Sequence, residues 1–163
     1  MKTELIIRDA STSDISLLTT LIRNSFRDVA DRFNLTSENC PTHPSNCTTE
    51  WIESDLKKGV KYYILERENV SCGCVALEQA QPDVFYLERL SVLPQFRRNG
   101  FGKLLVNLAL NEAKKLGAHR VEIGIISHQT ELKEWYKKLG FSTKKESRFE
   151  HLPFIVAFMT KEL

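Results

Sequence analysis

Apolar residues recur along this chain with two different spacings, and the two alternate. Spacings of three and four residues, typical of one face of a helix, begin at Ile15 and again follow Thr48, Gly102 and Thr130. Strand-like runs of apolar and aromatic residues separate these segments, at residues 4–8, 61–65, 72–79, 84–93, 120–126, 142–145 and 154–159. The predicted order, β-α-α-β-β-β-α-β-α-β-β, is typical of an α+β domain with a mixed sheet.

Composition narrows the class of protein. The 163 residues are enough for one domain, expected to span residues 1–163, and an apolar content of 42% supports an ordinary core. The 23 basic and 21 acidic residues give a net charge of +2 with no basic block, which argues against nucleic acid as a partner. No apolar run approaches the length of a membrane span, and the four cysteines form no recognisable disulfide framework, so we expect a cytoplasmic protein.

The central strand leads into the most informative stretch of the chain. Pro94 ends the strand, a short basic loop covers residues 95–99, and Gly100-Phe101-Gly102 opens a helix. The first N–H groups of a helix lack internal partners and its dipole attracts negative charge, so this arrangement predicts an anion site. The glycines leave bare backbone for a diphosphate to approach, and Arg97 and Arg98 add positive charge.

Two common phosphate-binding motifs do not fit this loop. The nucleoside-triphosphate loop requires a glycine at the position of Arg97 and a hydroxyl residue at the position of Leu104. The dinucleotide motif requires a third glycine where Leu105 stands. A different class of phosphate ligand is therefore expected.

The loop fits a third pattern: arginine or glutamine, two variable residues, glycine, one variable residue, then glycine or alanine. Arg97-Arg98-Asn99-Gly100-Phe101-Gly102 matches it without a mismatch, and Trp135-Tyr136-Lys137-Lys138-Leu139-Gly140-Phe141 supplies a second motif downstream. In both motifs and in their separation, the chain resembles the GCN5-related N-acetyltransferases (GNAT). The resemblance implies their acyl-CoA N-acyltransferase fold, a mixed and mostly antiparallel sheet flanked by about four helices.

The resemblance also implies that acetyl-CoA is the co-substrate. No metal is expected, because the sequence offers no complete set of ligands. The main chain of the central strand at Leu90, Ser91 and Val92 would hold the acetyl and pantetheine part, although Leu90 and Val92 can equally be core residues. Gln129 stands where family members commonly have a cofactor-binding asparagine, and its longer side chain can make similar hydrogen bonds. The loop would bind the diphosphate through main-chain N–H groups, which implicates Arg97, Arg98, Asn99, Gly100, Phe101 and Gly102.

Tyr136 and Glu88 are the candidate catalytic residues. Tyr136 matches a family tyrosine that protonates the departing thiolate, a role that suits a phenol at neutral pH, and the alternative is a core aromatic. Some family members carry a glutamate on the fifth strand, but Gly124 occupies that position, with Glu122 two residues away. Glu88 is the better candidate for the general base, because other members carry a base there and burial would raise its pKa. The alternative is an ordinary ion pair at Glu88, with a water chain as the base.

Cys40, His43 and Cys47 have a spacing that invites a metal interpretation, but a closed zinc site needs four ligands and no fourth lies nearby in the sequence. This segment commonly contributes to the acceptor site in the family. We therefore expect His43 either to shape that site or to hold a loop. His151, before the last strand, has the same two alternatives.

The leading function is an N-acetyltransferase that transfers the acetyl group of acetyl-CoA directly to a primary amine of a small molecule or peptide. The absence of a carboxylate at Gly124 and the change at Gln129 keep open a second function, a non-catalytic acyl-CoA-binding or sensing module. Dimers are common in the family, so a homodimer is also expected from the resemblance.

Overall fold

The computed structural model describes residues 4–163, which form a seven-stranded sheet with helices on both faces. The helices are α1 (Ile15–Arg32), α2 (Thr49–Lys57), α3 (Phe101–Lys115) and α4 (Thr130–Lys138). The strands are β1 (Leu5–Asp9), β2 (Lys61–Arg67), β3 (Val70–Gln81), β4 (Val84–Val92), β5 (Arg120–Ile126), β6 (Ser142–Arg148) and β7 (Ile155–Glu162). This order of elements confirms the predicted fold class. Within residues 4–163, no helix is both long and apolar enough to cross a membrane.

The strands lie in the order β1-β2-β3-β4-β5-β7-β6. Across this sheet, β4 and β5 run parallel and the other neighbouring strands run antiparallel. A parallel neighbour requires a crossover, and α3 supplies it between β4 and β5. The N-terminus of α3 consequently lies close to the end of β4.

Two apolar clusters cover the two faces of the sheet. On one face, Leu105 and Ala109 of α3 pack with Tyr136 of α4 against strand residues such as Leu87. On the other face, residues of α1 and α2 pack against the strands, among them Leu18, Ile22, Ile52, Tyr62 and Ile64. The sheet is therefore buried on both sides around β4.

The predicted boundaries differ from the observed ones mainly at β3 and β6, which are both longer than expected. The residues of β6 are almost all exposed on both faces of the sheet. Such a strand shows no alternation of apolar and polar residues, and it is defined by its antiparallel pairing with β7. Tertiary pairing thus extends this strand beyond its apolar start.

A β-bulge interrupts β4. Ser91 lies opposite Cys74 of β3, and Glu88 lies opposite Ala76, so two residues of β4 face a single residue of β3. One of the two, Arg89, has a left-handed backbone with a φ of 51°. A bulge of this kind breaks the regular alternation of side chains and bends the strand.

β4 and β5 pair only at the start of β4. Their register runs from Val84 to Tyr86, and from Leu87 to Val92 this edge of β4 has no strand beside it among the described residues. β5 continues through Ile126 in contact with β7 on its other side. The two parallel strands therefore separate and leave a gap in the middle of the sheet.

Gly73 of β3 allows the backbone of the bulged strand to approach. A Cβ atom at this position would lie 2.2 Å from the carbonyl oxygen of Ser91, far inside any real contact. We expect Gly73→Ala to lower the free energy of unfolding by at least about 2 kcal/mol, because the main chain of β4 has to move. Urea denaturation measures this loss.

Gly124→Ala is the matched control, because it is also a glycine within a strand. A Cβ atom there would lie 3.4 Å from Cγ1 of Val156, an ordinary van der Waals contact. This substitution should cost less than about 1 kcal/mol. Equal losses for the two variants would contradict the close approach at Gly73.

Candidate active site

A cavity of about 620 Å³ lies where β4 and β5 separate. One wall comes from the C-terminal half of α1, where the contributing residues lie between Ser25 and Arg32. The end of β4 contributes Leu90 and Val92, the loop before α3 contributes residues 96–98, and residues 129–135 close the opposite side. Because α1 and α3 cover opposite faces of the sheet, this cavity passes through the gap between the strands.

The loop between β4 and α3 presents free main-chain donors to the cavity. Arg98 and Gly100 both have left-handed backbones, with φ of 65° and 78°. The N–H groups of residues 98–103 donate to no acceptor within the described chain. Successive N–H groups at a curled loop and a helix N-terminus form a concave site for an anion. The geometry therefore supports the predicted phosphate role of the loop.

Gly102, on the first turn of α3, lies against the indole of Trp135. A Cβ atom at this position would lie 3.2 Å from the Trp135 ring. Trp135 itself lines the cavity and packs edge-on against Tyr136, with ring centroids 5.0 Å apart. The second glycine of the loop motif is thus needed for contact between α3 and α4 as well as for access to the backbone.

The side chain of Arg97 is occupied by contacts within the protein. Its guanidinium donates to a carboxylate oxygen of Asp28 at 2.6 Å, to the carbonyl of Ser25 at 2.6 Å and to the carbonyl of Val92 at 3.1 Å. We expected Arg97 to add positive charge for a phosphate, but Asp28 balances that charge. Arg97 instead ties α1 to the end of β4.

Other ionic groups around the cavity differ in whether they are paired. Arg32 at the end of α1 forms an ion pair with Glu131 at the start of α4, and both residues line the cavity. Arg98 and Lys103 also line it, and within the described residues they form no ion pair. The positive charge available to a ligand therefore comes from Arg98 and Lys103, next to the free N–H groups.

The structure brings most of the predicted donor-binding residues together at this cavity. Ser91 and Asn99 are exceptions. Ser91 is buried beside the bulge, and its hydroxyl donates to the carbonyl of Arg89 at 2.9 Å. The side-chain amide of Asn99 donates to the carbonyl of Phe96 at 3.0 Å and so stabilises the turn of the loop. The cavity is lined by the other predicted residues, Leu90, Val92, Arg97, Arg98, Gly100, Phe101, Gly102 and Gln129.

The bulged strand is attached to α2 by a partly buried ion pair. The guanidinium of Arg89 donates to the carboxylate of Asp55 and to the hydroxyl of Tyr62, and it lies over the ring of Trp51 at 5.5 Å. Tyr62 in turn donates to Asp55 at 2.6 Å. Burial raises the pKa of Tyr62, and the hydrogen bond to the carboxylate of Asp55 acts in the same direction, so the hydroxyl stays protonated.

Glu88 lies on the same face as this ion pair, next to Glu78 of β3. Burial, and after it the neighbouring carboxyl of Glu78, raise the pKa of Glu88 to about 8. Asp55 of α2 acts in the same direction, whereas Arg89 lowers the pKa of Glu88. Glu88 can therefore exchange a proton near neutral pH, although it is not among the residues that line the cavity.

Tyr136 is a core residue in this structure, with 4% of its surface exposed. It packs edge-on against Phe141, with ring centroids 5.4 Å apart, in the cluster that also contains Leu90 and Val92. Burial raises the pKa of Tyr136, which keeps the phenol protonated. Its hydroxyl has no hydrogen-bond partner within the described residues, so packing and proton donation are compatible at this position.

The fifth strand offers no free carboxylate at the site. A Cβ atom at Gly124 would contact the ring of Phe158 at 3.5 Å, so this aromatic side chain covers the glycine. Glu122 is already paired, with Lys144 at 3.1 Å and Arg120 at 3.8 Å. Of the two acidic candidates for the base, Glu122 is thus engaged in ion pairs, which leaves Glu88.

The segment from Cys40 to Cys47 is held by its own contacts. His43 accepts a hydrogen bond from the backbone N–H of Ser45 at 3.3 Å, and its ring packs edge-on against Phe26 at 5.7 Å. Burial lowers the pKa of His43 to about 4, so the imidazole is neutral. Its cysteines are unpaired, and no group of three or more metal-ligating residues occurs within residues 4–163. These contacts favour the loop-holding alternative for His43.

His151 is exposed and stacks near Phe149, with ring centroids 5.7 Å apart. The structure does not bring it to the cavity. A role for His151 in an acceptor site stays a prediction.

Several residues of the cavity were not predicted. Most belong to α1, where Ser25, Asp28, Val29 and Arg32 share one face of the helix. Their three- and four-residue spacing is visible in the sequence, but contact with a loop about seventy residues away is not. The sequence places Trp135 in the second motif but does not predict that it lines the cavity.

Comparison with known proteins now identifies the family. A family model described as the acetyltransferase (GNAT) family matches residues 24–141. The chain therefore belongs to the GNAT family of acetyltransferases, as its two motifs predicted.

Two curated relatives and one solved structure illustrate the likeness. The chain is 38% identical over 64 residues to L-ornithine N5-acetyltransferase NATA1 of Arabidopsis thaliana, covering 39% of this chain and 28% of that protein. It is 28% identical over 141 residues to an amino-acid acetyltransferase of Neisseria meningitidis, covering 86% of this chain and 28% of that protein. The chain thus spans less than a third of either relative.

The solved structure is PaiA N-acetyltransferase of Thermoplasma acidophilum in complex with coenzyme A. It superposes with a TM-score of 0.82 at 17% identity, covering 98% of this chain and 99% of that chain. At this identity the comparison shows the shared fold.

The raised pKa of Glu88 makes stability depend on pH. A carboxyl whose pKa rises from about 4.5 to about 8 on folding favours the folded state at low pH, and that contribution is lost as the pH rises through this range. Glu88→Gln removes the charge that burial penalises. We expect the variant to gain stability over the wild type, by about 1–3 kcal/mol at pH 9 and little at pH 4.

Urea denaturation across this pH range measures the difference. Glu146→Gln is the control, because Glu146 is exposed and Lys133 lowers the pKa of its carboxyl. That variant should show a small effect of the opposite sign. Parallel stability curves for Glu88→Gln and the wild type would contradict the raised pKa.

Proposed function

We propose that this protein is an acetyl-CoA-dependent N-acetyltransferase, which moves the acetyl group directly to a primary amine of a small molecule or peptide. The observation that carries the proposal is the continuous path from the free edge of β4 to the unpaired N–H groups of residues 98–103. A ligand with an extended arm and a diphosphate fits such a path. Membership of the GNAT family supports the same conclusion.

The donor would lie with its arm along Leu90 and Val92 and its diphosphate at the loop. Backbone groups on the free edge of β4 supply hydrogen-bonding partners for an arm that contains amides. Arg98 and Lys103 supply charge beside the free N–H groups. The complex with coenzyme A described for the Thermoplasma protein supports this choice of ligand by analogy of fold.

Glu88 would act as the general base. An amine reaches the enzyme mostly as an ammonium ion, and it has to lose a proton before its nitrogen can attack the thioester carbonyl. A carboxylate with a pKa near 8 can accept that proton at neutral to mildly basic pH. The adjacent Glu78 adds negative charge, which favours a cationic acceptor approaching from the face covered by α1 and α2.

Tyr136 would act as the general acid. Cleavage of the carbon–sulfur bond leaves a thiolate, and a protonated phenol can neutralise it. Burial keeps the phenol of Tyr136 protonated, and its hydroxyl is not engaged by another group of the described chain. The nitrogen loses a second proton as the amide forms, and that proton restores the phenol of Tyr136, while the proton taken by Glu88 passes to solvent.

The acceptor is proposed at the level of its chemical class. The names of the relatives, an L-ornithine N5-acetyltransferase and an amino-acid acetyltransferase, support an amino acid or a similar small amine. A single catalytic domain over residues 1–163, a cytoplasmic location and a homodimer remain predictions from the sequence. The unpaired cysteines are consistent with a reducing compartment.

Thiol release from acetyl-CoA tests the function directly. The panel of acceptors includes amino acids with ornithine among them, polyamines, aminoglycosides and short peptides. We expect release with one group of amines, and loss of that release in Gly102→Val, whose side chain would press against Trp135 and cover the loop. CoA should also raise the melting temperature of the wild type and fail to do so for this variant. Protection by CoA without release across the panel would favour a sensing module.

Tyr136→Phe tests the general acid. We expect turnover to fall at least about tenfold with nearly unchanged CoA affinity, because only the proton donor is removed. Phe141→Leu is the matched control, since it disturbs the packing around Tyr136 without removing a hydroxyl. Unchanged turnover in Tyr136→Phe, or equal effects of the two substitutions, would assign Tyr136 to the core alone.

A further inference from the structure

Arg67, the last residue of β2, lies over two aromatic rings at once. Its guanidinium carbon is 5.2 Å from the ring centroid of Phe96 and 5.4 Å from that of Phe101. At both distances a guanidinium is attracted to the face of an aromatic ring. The ion pairs of the described residues involve other arginines and do not include Arg67. Two rings, rather than a carboxylate, therefore accompany this charge.

The two rings stand at the two ends of the loop that precedes α3. Phe96 ends the short 3-10 turn that follows β4, and Phe101 is the first residue of α3, so the loop of residues 97–100 lies between them. Both aromatic residues line the cavity, whereas Arg67 does not. Arg67 thus contacts both ends of the loop without belonging to the wall that a ligand would touch.

The fold brings Arg67 to this loop from a distant strand. β3 separates β2 from β4 in the sheet, so the side chain of Arg67 reaches across β3. Tyr63 and Leu65, which precede it on the same face of β2, pack in the cluster that contains Phe101. These buried neighbours fix the strand from which the guanidinium reaches the rings.

The loop needs such a contact because its conformation is not favourable in itself. Arg98 and Gly100 have left-handed backbones, and for a residue with a side chain this conformation costs free energy. The side chain of Asn99 stabilises the turn from within, through the carbonyl of Phe96 at 3.0 Å. Arg67 supplies a contact from outside the loop that joins its two ends. Two rings also hold the guanidinium without placing a negative charge beside an anion site.

We propose that Arg67 is a positioning residue, which holds the two ends of the loop together through Phe96 and Phe101 and so keeps the free N–H groups oriented before a ligand binds. This inference rests on the proposed function, in which the ligand of the loop is the diphosphate of the acyl-CoA donor. Arg67 acts through the two rings and does not contact the donor. A loop that is already ordered raises affinity, because binding does not have to order it.

Calorimetric titration with CoA tests this role. We expect CoA to bind Arg67→Met about tenfold more weakly than the wild type, because methionine has a similar length but no charge to offer the rings. Arg67→Lys should recover most of this loss, since an ammonium ion is also attracted to aromatic faces. Arg120→Met is the matched control. Arg120 is a strand arginine next to Glu122, and its replacement should leave CoA affinity unchanged.

A double-mutant cycle separates an effect through the rings from an effect of the charge alone. In a Phe96→Leu background, where one of the two rings is gone, Arg67→Met should weaken CoA binding by only about threefold. The full tenfold loss in that background would mean that the charge of Arg67 acts on the ligand directly, and it would overturn the proposal. Urea denaturation of the unliganded variants should give midpoints close to that of the wild type, because Arg67 is only half-buried.

The remaining outcomes separate this inference from the proposed function. Tight CoA binding by the wild type with unchanged affinity in Arg67→Met would overturn the role of Arg67 and leave the acetyltransferase proposal intact. Equal losses in Arg67→Lys and Arg67→Met would also overturn it, because the charge over the rings would then have no effect. Absence of CoA binding by the wild type would refute both proposals.

Discussion

The site depends on the ion pair between Arg89 of β4 and Asp55 of α2. Arg89 occupies the left-handed position of the bulge, a conformation that costs about 1–2 kcal/mol for a residue with a side chain. The guanidinium is compensated there by Asp55, Tyr62 and the face of Trp51. Removing either partner would leave the other charge partly buried and uncompensated, which strongly lowers the free energy of unfolding. The contacts of α2 thus maintain the bend of the strand on which the site is built.

A second set of contacts holds α1 against the same strand. Arg97 follows the end of β4, and it reaches across to Asp28 and to the backbone of Ser25. Arg32 makes a further connection from α1 to α4 through Glu131. Exposed pairs of this kind contribute little to stability, so their main effect is on geometry. They hold α1 next to the end of β4 and next to the start of α4, around the gap between β4 and β5.

The sequence predicted more of the fold than of the site. Helical and strand-like spacing predicted the helices and strands in their observed order, and the loop motif predicted an anion site where the structure has a row of free N–H groups. The bulge is also visible in the sequence of β4. Apolar residues occupy the odd positions Phe85 and Leu87 and then the even positions Leu90 and Val92, yet all four pack in one cluster. The wall formed by α1 could not be predicted, because it depends on a contact between Arg97 and Asp28 across the folded sheet. For the same reason, the sequence predicts that the Arg97 side chain adds charge for a phosphate, whereas in the structure it contacts Asp28.

The bulge also explains how the aliphatic wall of the cavity and the carboxyl of Glu88 come to lie on opposite sides of one strand. In a regular strand, Leu90 would share a face with Glu88, and the aliphatic wall of the cavity would be on the side of the carboxylate. The extra residue turns Leu90 and Val92 toward the face of α3, while Glu88 and Arg89 both remain on the face of α2. In the proposed reaction, a donor along the free edge of β4 and an acceptor near Glu88 would meet at this strand. Gly124 of β5 offers no carboxylate and is covered by Phe158 of β7, so in the proposed reaction the proton acceptor comes from the bulged strand, as Glu88.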